Sequence, residues 1–196
     1  MGVKRIDHLS IEDYIEIEEG SQVKHEYEGG KVLAMTGGSI NHGILCDNSY
    51  NELRSGLERN GIQCNAYGSE IRIHIEKVES IVYPDAMIIC GNMEVSEKDT
   101  EAVINPLLIV EVLSKSTESY DRGEKFYKYR QLPSIHEYIL INQDKPLVET
   151  FFKTEEGNWE IGNRFVGLDK DVELKCLNFQ INMRKLYQNV VFKDYK

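Results

Sequence analysis

Residues 106–117 read "PLLIVEVLSKST". Four apolar residues, Leu107 to Val110, lead to a carboxylate, Glu111, and the chain turns polar at Ser114. A continuous apolar run closed by a polar turn is the pattern of a strand covered on both faces. Residues 80–91, "SIVYPDAMIICG", repeat the arrangement with Asp85. An ionised carboxylate in a dry strand layer is costly unless it is paired or coordinates a metal. Pro84, just before Asp85, removes a backbone donor, so the sheet there has an edge, a bulge or an irregularity. If the two strands are neighbours, both acids converge at one end of them.

Working outward, residues 22–35, "QVKHEYEGGKVLAM", predict a hairpin around the turn "EGG". Ser39 is the N-cap of a predicted helix from Ile40 to Asn60, stopped by Gly61. Its apolar face is expected to carry His42, Cys46, Tyr50, Leu53 and Leu57. Ile71, Ile73 and Ile75 alternate with Arg72, His74 and Glu76, which predicts one half-buried strand with His74 solvated on its polar side. The polar stretch 91–106 is expected to be a loop. Asp121, with Glu124 three residues on, predicts the capped start of a second helix, and Pro133 ends it. "IHEYILIN" at 135–142 is a further strand, followed by two or three strands and a short helix near "NMRKLYQNV". The expected architecture is therefore mixed α/β in the order helix, strand, strand, strand, helix, strand. It forms a single domain over residues 1–196, with an N-terminal segment 1–20, a hairpin, and a β-rich extension over 146–196.

At 196 residues, 41% apolar and 29% charged, the composition is that of an ordinary globular chain. No apolar run approaches the roughly 18–20 residues that span a bilayer. The acidic start lacks the apolar core of a signal peptide, and Gly2 is followed by Arg5 and Ile6 where myristoylation needs a hydroxyl. A cytoplasmic location is expected, with no membrane association. Cys46, Cys64, Cys90 and Cys176 show no paired spacing and read as structural or reduced spectator thiols. No phosphate-binding loop or dinucleotide fingerprint occurs, so no nucleotide cofactor is expected. No Gly-x-Ser-x-Gly elbow supports a serine nucleophile.

The net charge of −10 opposes broad electrostatic binding of nucleic acid. Residues 115–130 hold five basic groups against three acids, which makes that segment +2 and the remainder −12. This is either a solvated helix face or a local complement to a polyanion, with a divalent ion supplying the rest of the charge. Asp85 and Glu111 are likewise open to two readings. They are structural acids paired with Arg72 or Lys125, or hard oxygen ligands for Mg²⁺ or Mn²⁺. Lys125 is the nearest candidate for a catalytic cation, sharing a helical face with Arg122 and Tyr129, and Lys128 is the next.

The stretches "HEYEGGKVLAMTGGSINHGIL", "GSEIRIHI", "YPDAMIIC" and "NPLLIVEVLSKSTESYDRGEKFYKYRQLPSIHEYILI" resemble the Uma-type restriction endonuclease family of the PD-(D/E)XK superfamily. The resemblance covers most of the chain from about residue 20. It implies a restriction-endonuclease-like core, a central mixed β-sheet flanked by helices. It also implies a DNA-cutting enzyme with Asp85 and Glu111 as Mg²⁺ or Mn²⁺ ligands. The superfamily lysine usually stands two residues after the glutamate, where this chain has Leu113; the family pattern moves it to the next helix, at Lys125. Glu26, His42 and Glu70 match polar family positions and are secondary candidates, and Ser114 and Ser116 are expected to hold the turn. DNA is the implied partner, with homodimerisation because cutting two strands calls for two sites. Two other readings stand beside this one. One is an inactive nuclease-fold protein that binds nucleic acid or protein. The other is a metal-independent hydrolase using the two acids as acid and base.

Overall fold

The computed structural model describes residues 8–192, so Gly2, Arg5 and Ile6, and with them the lipidation reading, lie outside the described residues. The expected N-terminal segment 1–20 holds a helix that the sequence reading did not place. This is α1 (Ile11–Glu19), opened by a Ser10–Asp13 capping box. Its Ile11 and Tyr14 pack on Tyr27 and Ile81. The hairpin follows as β1 (His25–Glu28) and β2 (Lys31–Ala34). Gly29 and Gly30 both adopt positive φ, 47° and 93°, as its two-residue turn requires.

Helix α2 (Ile40–Asn60) has the bounds expected, with Ser39 as N-cap and Gly61 left-handed at φ 64°. Its buried side is centred on Leu45, Ser49, Leu53 and Gly56, turned from the expected stripe, so that His42 and Cys46 reach the edge of the packed face. The strand expected around 71–75 is β4 (Arg72–Ile75), and a strand that was not expected, β3 (Cys64–Gly68), precedes it in a different sheet. The run 80–91 is divided, into β5 (Ser80–Val82) and β6 (Ala86–Cys90). Tyr83, Pro84 and Asp85 are the crossing from one sheet to the other. The loop 91–106 contains β7 (Ala102–Val103), parallel to β4, and Asp99 in it binds Arg72 through two hydrogen bonds. Arg72 is therefore not a partner of Asp85 or Glu111.

Next come β8 (Leu108–Leu113), α3 (Glu118–Tyr120), a π turn (Asp121–Lys125) and α4 (Phe126–Tyr129). The helical segment thus begins three residues before the expected cap, and Asp121 lies inside it, buried. Then follow β9 (Glu137–Asn142), β10 (Leu147–Lys153), β11 (Trp159–Val166), the hairpin β12 (Asp171–Leu174) with β13 (Phe179–Asn182), and α5 (Met183–Leu186).

The main sheet has the order β11-β10-β9-β8-β6-β3, with only β8 and β9 parallel. One face packs on α2, the β12–β13 hairpin and α5 through Leu53, Val110, Val112, Ile139, Phe179 and Leu186. The other face packs on the helical segment and on the second sheet, β2-β1-β5-β4-β7, through Ile109, Leu113, Phe126, Tyr129 and Ile73. The architecture is mixed α/β, with central mixed sheets flanked by helices. Among the described residues no helix is long and apolar enough to cross a membrane.

Three residues depart from their expected surroundings. His74 is buried rather than solvated, with Nδ1 2.6 Å from Ser96 Oγ, because the 91–104 segment covers the face expected to be wet. Cys64 and Cys90 are not spectator thiols; they face each other across β3 and β6 and form a disulfide. Only strand register brings them together, since 26 residues separate them in sequence.

Candidate active site

Strands β6 and β8 are antiparallel neighbours, with Ala86 opposite Val110. Asp85, one step beyond Ala86, therefore lies beside Glu111. Its backbone N–H donates to Val110 O at 3.2 Å, and its Oδ2 accepts from Val112 N–H at 2.6 Å. Pro84 offers no donor, so the ladder yields there and the carboxylate takes over the strand bond. Glu111 is 2% exposed, and its Oε1 accepts from Tyr129 Oη at 2.7 Å and from Lys125 Nζ at 2.9 Å. Lys125 also donates to Tyr83 O at 2.9 Å and stands 3.4 Å from Glu26 Oε1.

The π turn explains how the helix delivers these groups. Its wider winding puts both Asp121 and Lys125 on the buried side. Tyr138 donates its hydroxyl to the Asp121 carbonyl at 2.9 Å, and anchors the turn to β9. Arg122, expected to share the face of Lys125, instead turns outward to Glu118 and Glu149. Ser114 holds the preceding turn through Ser116 and Thr117, both at 3.0 Å, as expected.

A cavity of about 760 Å³ opens here, lined by Asp85, Glu111, Asp121, Lys125, His42 and Ser39 among others. His42 Nε2 is 3.5 Å from Asp85 Oδ2. Ser39, beyond capping α2, donates to Gln143 Oε1 at 2.6 Å and ties the helix start to the end of β9. Two secondary candidates stand elsewhere. Glu70 is exposed and pairs with Lys24 at 2.7 Å, and Lys128 is bound to Glu28 at 2.6 Å on the far side of Tyr120.

Burial pushes the Asp85 carboxyl up, but the His42 contact, the charges of His42 and Lys125, and the Val112 N–H outweigh it and hold it below its ordinary value. The same contact with Asp85 raises His42, against burial. Burial, with repulsion from Asp85 and Asp121, drives Glu111 well above the usual carboxylate range despite Lys125. Burial works against the charge of Lys125, yet Glu111, Glu26, Asp121 and Asp85 together hold it well above the ordinary lysine value. These directions agree: several acids share one amine, the amine keeps its proton, and the most buried acid is driven toward protonation.

Residues 11–184 match the family described as "Uma2: Putative restriction endonuclease". The chain belongs to this family. Two relatives from Synechocystis sp. (strain PCC 6803) carry the names "Uncharacterized protein slr1290" and "Uncharacterized protein sll1609". The first is 33% identical over 184 residues, covering 94% of each chain. The second is 33% identical over 169 residues, covering 86% of this chain and 94% of the other. Among solved structures, "a putative nuclease belonging to DUF820" from Anabaena variabilis shares the fold, with a TM-score of 0.73 at 13% identity over 93% of this chain and 99% of that one.

The fold also brings to this cavity groups that the sequence did not single out. Asp121 is one, hidden because its position before Glu124 reads as a helix cap. Cys46 is another; its Sγ lies 3.4 Å from His42 Nδ1. The signal for both was a spacing of four, Asp121 to Lys125 and His42 to Cys46.

Proposed function

We propose that this Uma2 protein is a metal-dependent endonuclease of the PD-(D/E)XK type that hydrolyses DNA phosphodiester bonds. Asp85 and Glu111 hold Mg²⁺ or Mn²⁺, and Lys125 supplies the cation at the reacting phosphate. The supporting observation is that Lys125 Nζ, from the helix after β8, reaches Glu111 Oε1 at 2.9 Å beside Asp85 in one cavity. Leu113, where the superfamily lysine usually stands, is buried in the core instead.

The donor set suits a hard divalent ion. Glu111 uses Oε1 for Tyr129 and Lys125, and Asp85 uses Oδ2 for Val112 and His42, so the second oxygen of each is not engaged by these partners. Mg²⁺ is held by one or two carboxylates and takes its other ligands from water and phosphate oxygens. When bound, such an ion polarises a phosphodiester and lowers the pKa of an attacking water. The chain's own residues do the rest. Lys125 keeps its proton and therefore serves as a fixed positive charge for the developing phosphorane, not as a base. Tyr129 and the Val112 N–H fix the orientation of the two carboxylates. His42 braces Asp85, and Glu26 braces the lysine.

The test is cleavage of supercoiled, linear and single-stranded DNA with Mg²⁺ or Mn²⁺ by wild type, Asp85→Asn and Glu111→Gln, with circular dichroism to confirm folding. Each variant is expected to lose about 100-fold or more in rate. Equal cutting by Asp85→Asn and wild type overturns the assignment. Metal-dependent DNA binding without cutting by any form supports an inactive nuclease fold, and chelator-insensitive cutting supports the acid–base hydrolase. Cutting both strands of a duplex with one site per chain calls for a homodimer, and sedimentation as a monomer at micromolar concentration removes that part.

A further inference from the structure

Three potential ligand atoms of different chemistry meet on the cavity wall: a nitrogen of His42, Sγ of Cys46 and a carboxylate oxygen of Asp85, all within 4.8 Å of one another. Cys46 Sγ is 3.4 Å from His42 Nδ1, and Asp85 Oδ2 is 3.5 Å from His42 Nε2. A tetrahedral zinc site with bonds of about 2.0–2.3 Å sets neighbouring ligands roughly 3.3–3.8 Å apart. Each flanking atom stands at that spacing from a different ring nitrogen, and a small side-chain rotation brings the three donors, already within 4.8 Å of one another, onto a single ion. We propose that His42, Cys46 and Asp85 form a binding site for a borderline-soft divalent ion such as Zn²⁺, and that its occupation withholds Asp85 from Mg²⁺.

The scaffold is built for it. His42 and Cys46 are four residues apart in α2 and so project from one face, one turn apart. Asp85 comes from the crossing between the sheets and is pinned by Val112 N–H. The loop before α2 closes on the imidazole: a Cβ placed on Gly38 would stand 2.8 Å from His42 Nδ1, so the ring has little room to swing away. One ring nitrogen serves the ion, and the other gives up its present neighbour, Cys46 Sγ beside Nδ1 or Asp85 Oδ2 beside Nε2, to the same ion. The fourth position faces the cavity and takes a water or a substrate oxygen. Sulfur and imidazole favour zinc, cobalt or copper over magnesium, so the donor set discriminates between the two classes of ion. On binding, the metal–sulfur bond forms as the S–H bond breaks and the proton passes to solvent; no electron is transferred.

The binding stands on its own, whereas the blocking of Mg²⁺ rests on the proposed nuclease activity, and the experiment separates them. Cobalt(II) is added to the intact protein without reductant, which leaves the Cys64–Cys90 disulfide closed. The expected result is a near-ultraviolet thiolate-to-cobalt band with strong visible bands, saturating at one ion per chain and chased by Zn²⁺. Cys46→Ser abolishes the sulfur band, and Cys176→Ser, at the other free cysteine, keeps it. A wild-type spectrum without that band, or one unchanged in Cys46→Ser, overturns the site. Should Cys46→Ser fold poorly, alkylation of wild type decides: one equivalent of Zn²⁺ is expected to slow labelling of Cys46 about tenfold or more, and unchanged labelling overturns the site. In the cleavage assay, Zn²⁺ is expected to inhibit the Mg²⁺ reaction of wild type at about tenfold lower concentration than that of Cys46→Ser. Equal inhibition overturns the blocking while leaving the cobalt result in place. If wild type cuts nothing, the nuclease reading fails and the cobalt spectrum still judges the site.

Discussion

Lys125 makes an acidic cavity tolerable, and its surroundings decide what its loss does. Its Nζ lies within 3.4 Å of Glu26 and Glu111, and Asp85 and Asp121 also act on its charge. Removing one partner of a buried ion pair strands the other, which costs about 3–5 kcal/mol, whereas replacing both with neutral groups costs far less. Lys125→Met is therefore expected to lower stability by about 3 kcal/mol or more, and Lys125→Met with Glu111→Gln to regain a large part. Urea denaturation of the single and double variants measures this, and a single variant within about 1 kcal/mol of wild type refutes it. The positions of Asp85, Glu111 and Lys125 were legible from strand patterning and family resemblance. His74 was misread, because alternation marks a wet face only if nothing later in the chain covers it. Ser96 and its neighbours cover it here, and burial lowers the His74 pKa below its ordinary 6.5, with Glu76 and Asp99 opposing and Lys98 assisting. The folded chain thus favours neutral His74. That stability is present above pH 6.5 and is lost as pH falls toward the folded pKa, since the unfolded chain takes up the proton first. The urea midpoint should drop between about pH 7.5 and about pH 5.5, and less so in His74→Gln. Parallel pH profiles for the two proteins would count against this.

Elements were legible where local signals set them and illegible where tertiary contacts did. Ser39 and Gly61 bracket α2 at both ends, and capping chemistry is local. The face that α2 buries is not, because it depends on what lies against it. Gly56 faces Phe179 of β13 so closely that an added Cβ would come within 2.8 Å of ring carbons Cδ2 and Cζ. No periodicity argument counts a glycine as core. Gly56→Ala improves helix propensity by about 1 kcal/mol yet overpacks this contact, at a cost of roughly 1–3 kcal/mol. A net loss of stability is expected, with Phe179→Leu relieving part of it; a more stable Gly56→Ala protein would show that the ring yields freely. The π turn escaped for a similar reason. Its sequence, "DRGEK", carries a plausible cap, and only Tyr138 and the buried partners of Lys125 reveal that the helix runs through it. Pro84 correctly announced an irregularity but not its size, a change of sheet.

For the molecule as a whole, the question is how a chain of charge −10 approaches a polyanion. The basic segment 115–130 does not answer it, because most of its charge is spent within the protein. Arg122 serves Glu118 and Glu149, Lys125 serves Glu111 and Glu26, and Lys128 serves Glu28. Lys115 remains on the cavity wall, and Arg130 stacks on Phe126 and Tyr127. Few phosphates can then be met by the cations of this segment, and each such contact contributes about −0.9 to the slope of log affinity against log salt. If the cavity acts on DNA, the missing charge must come from divalent ions held by the acids. Duplex binding followed by fluorescence anisotropy is therefore expected to be absent with chelator and to appear with Ca²⁺, another hard oxygen-seeking ion. It should have a shallow dependence on monovalent salt, and Asp85→Asn should weaken it at least as much as Lys115→Ala does. Strong binding in chelator with a steep salt slope would mean that a basic surface recruits DNA, and that the cavity acids play no part in capture.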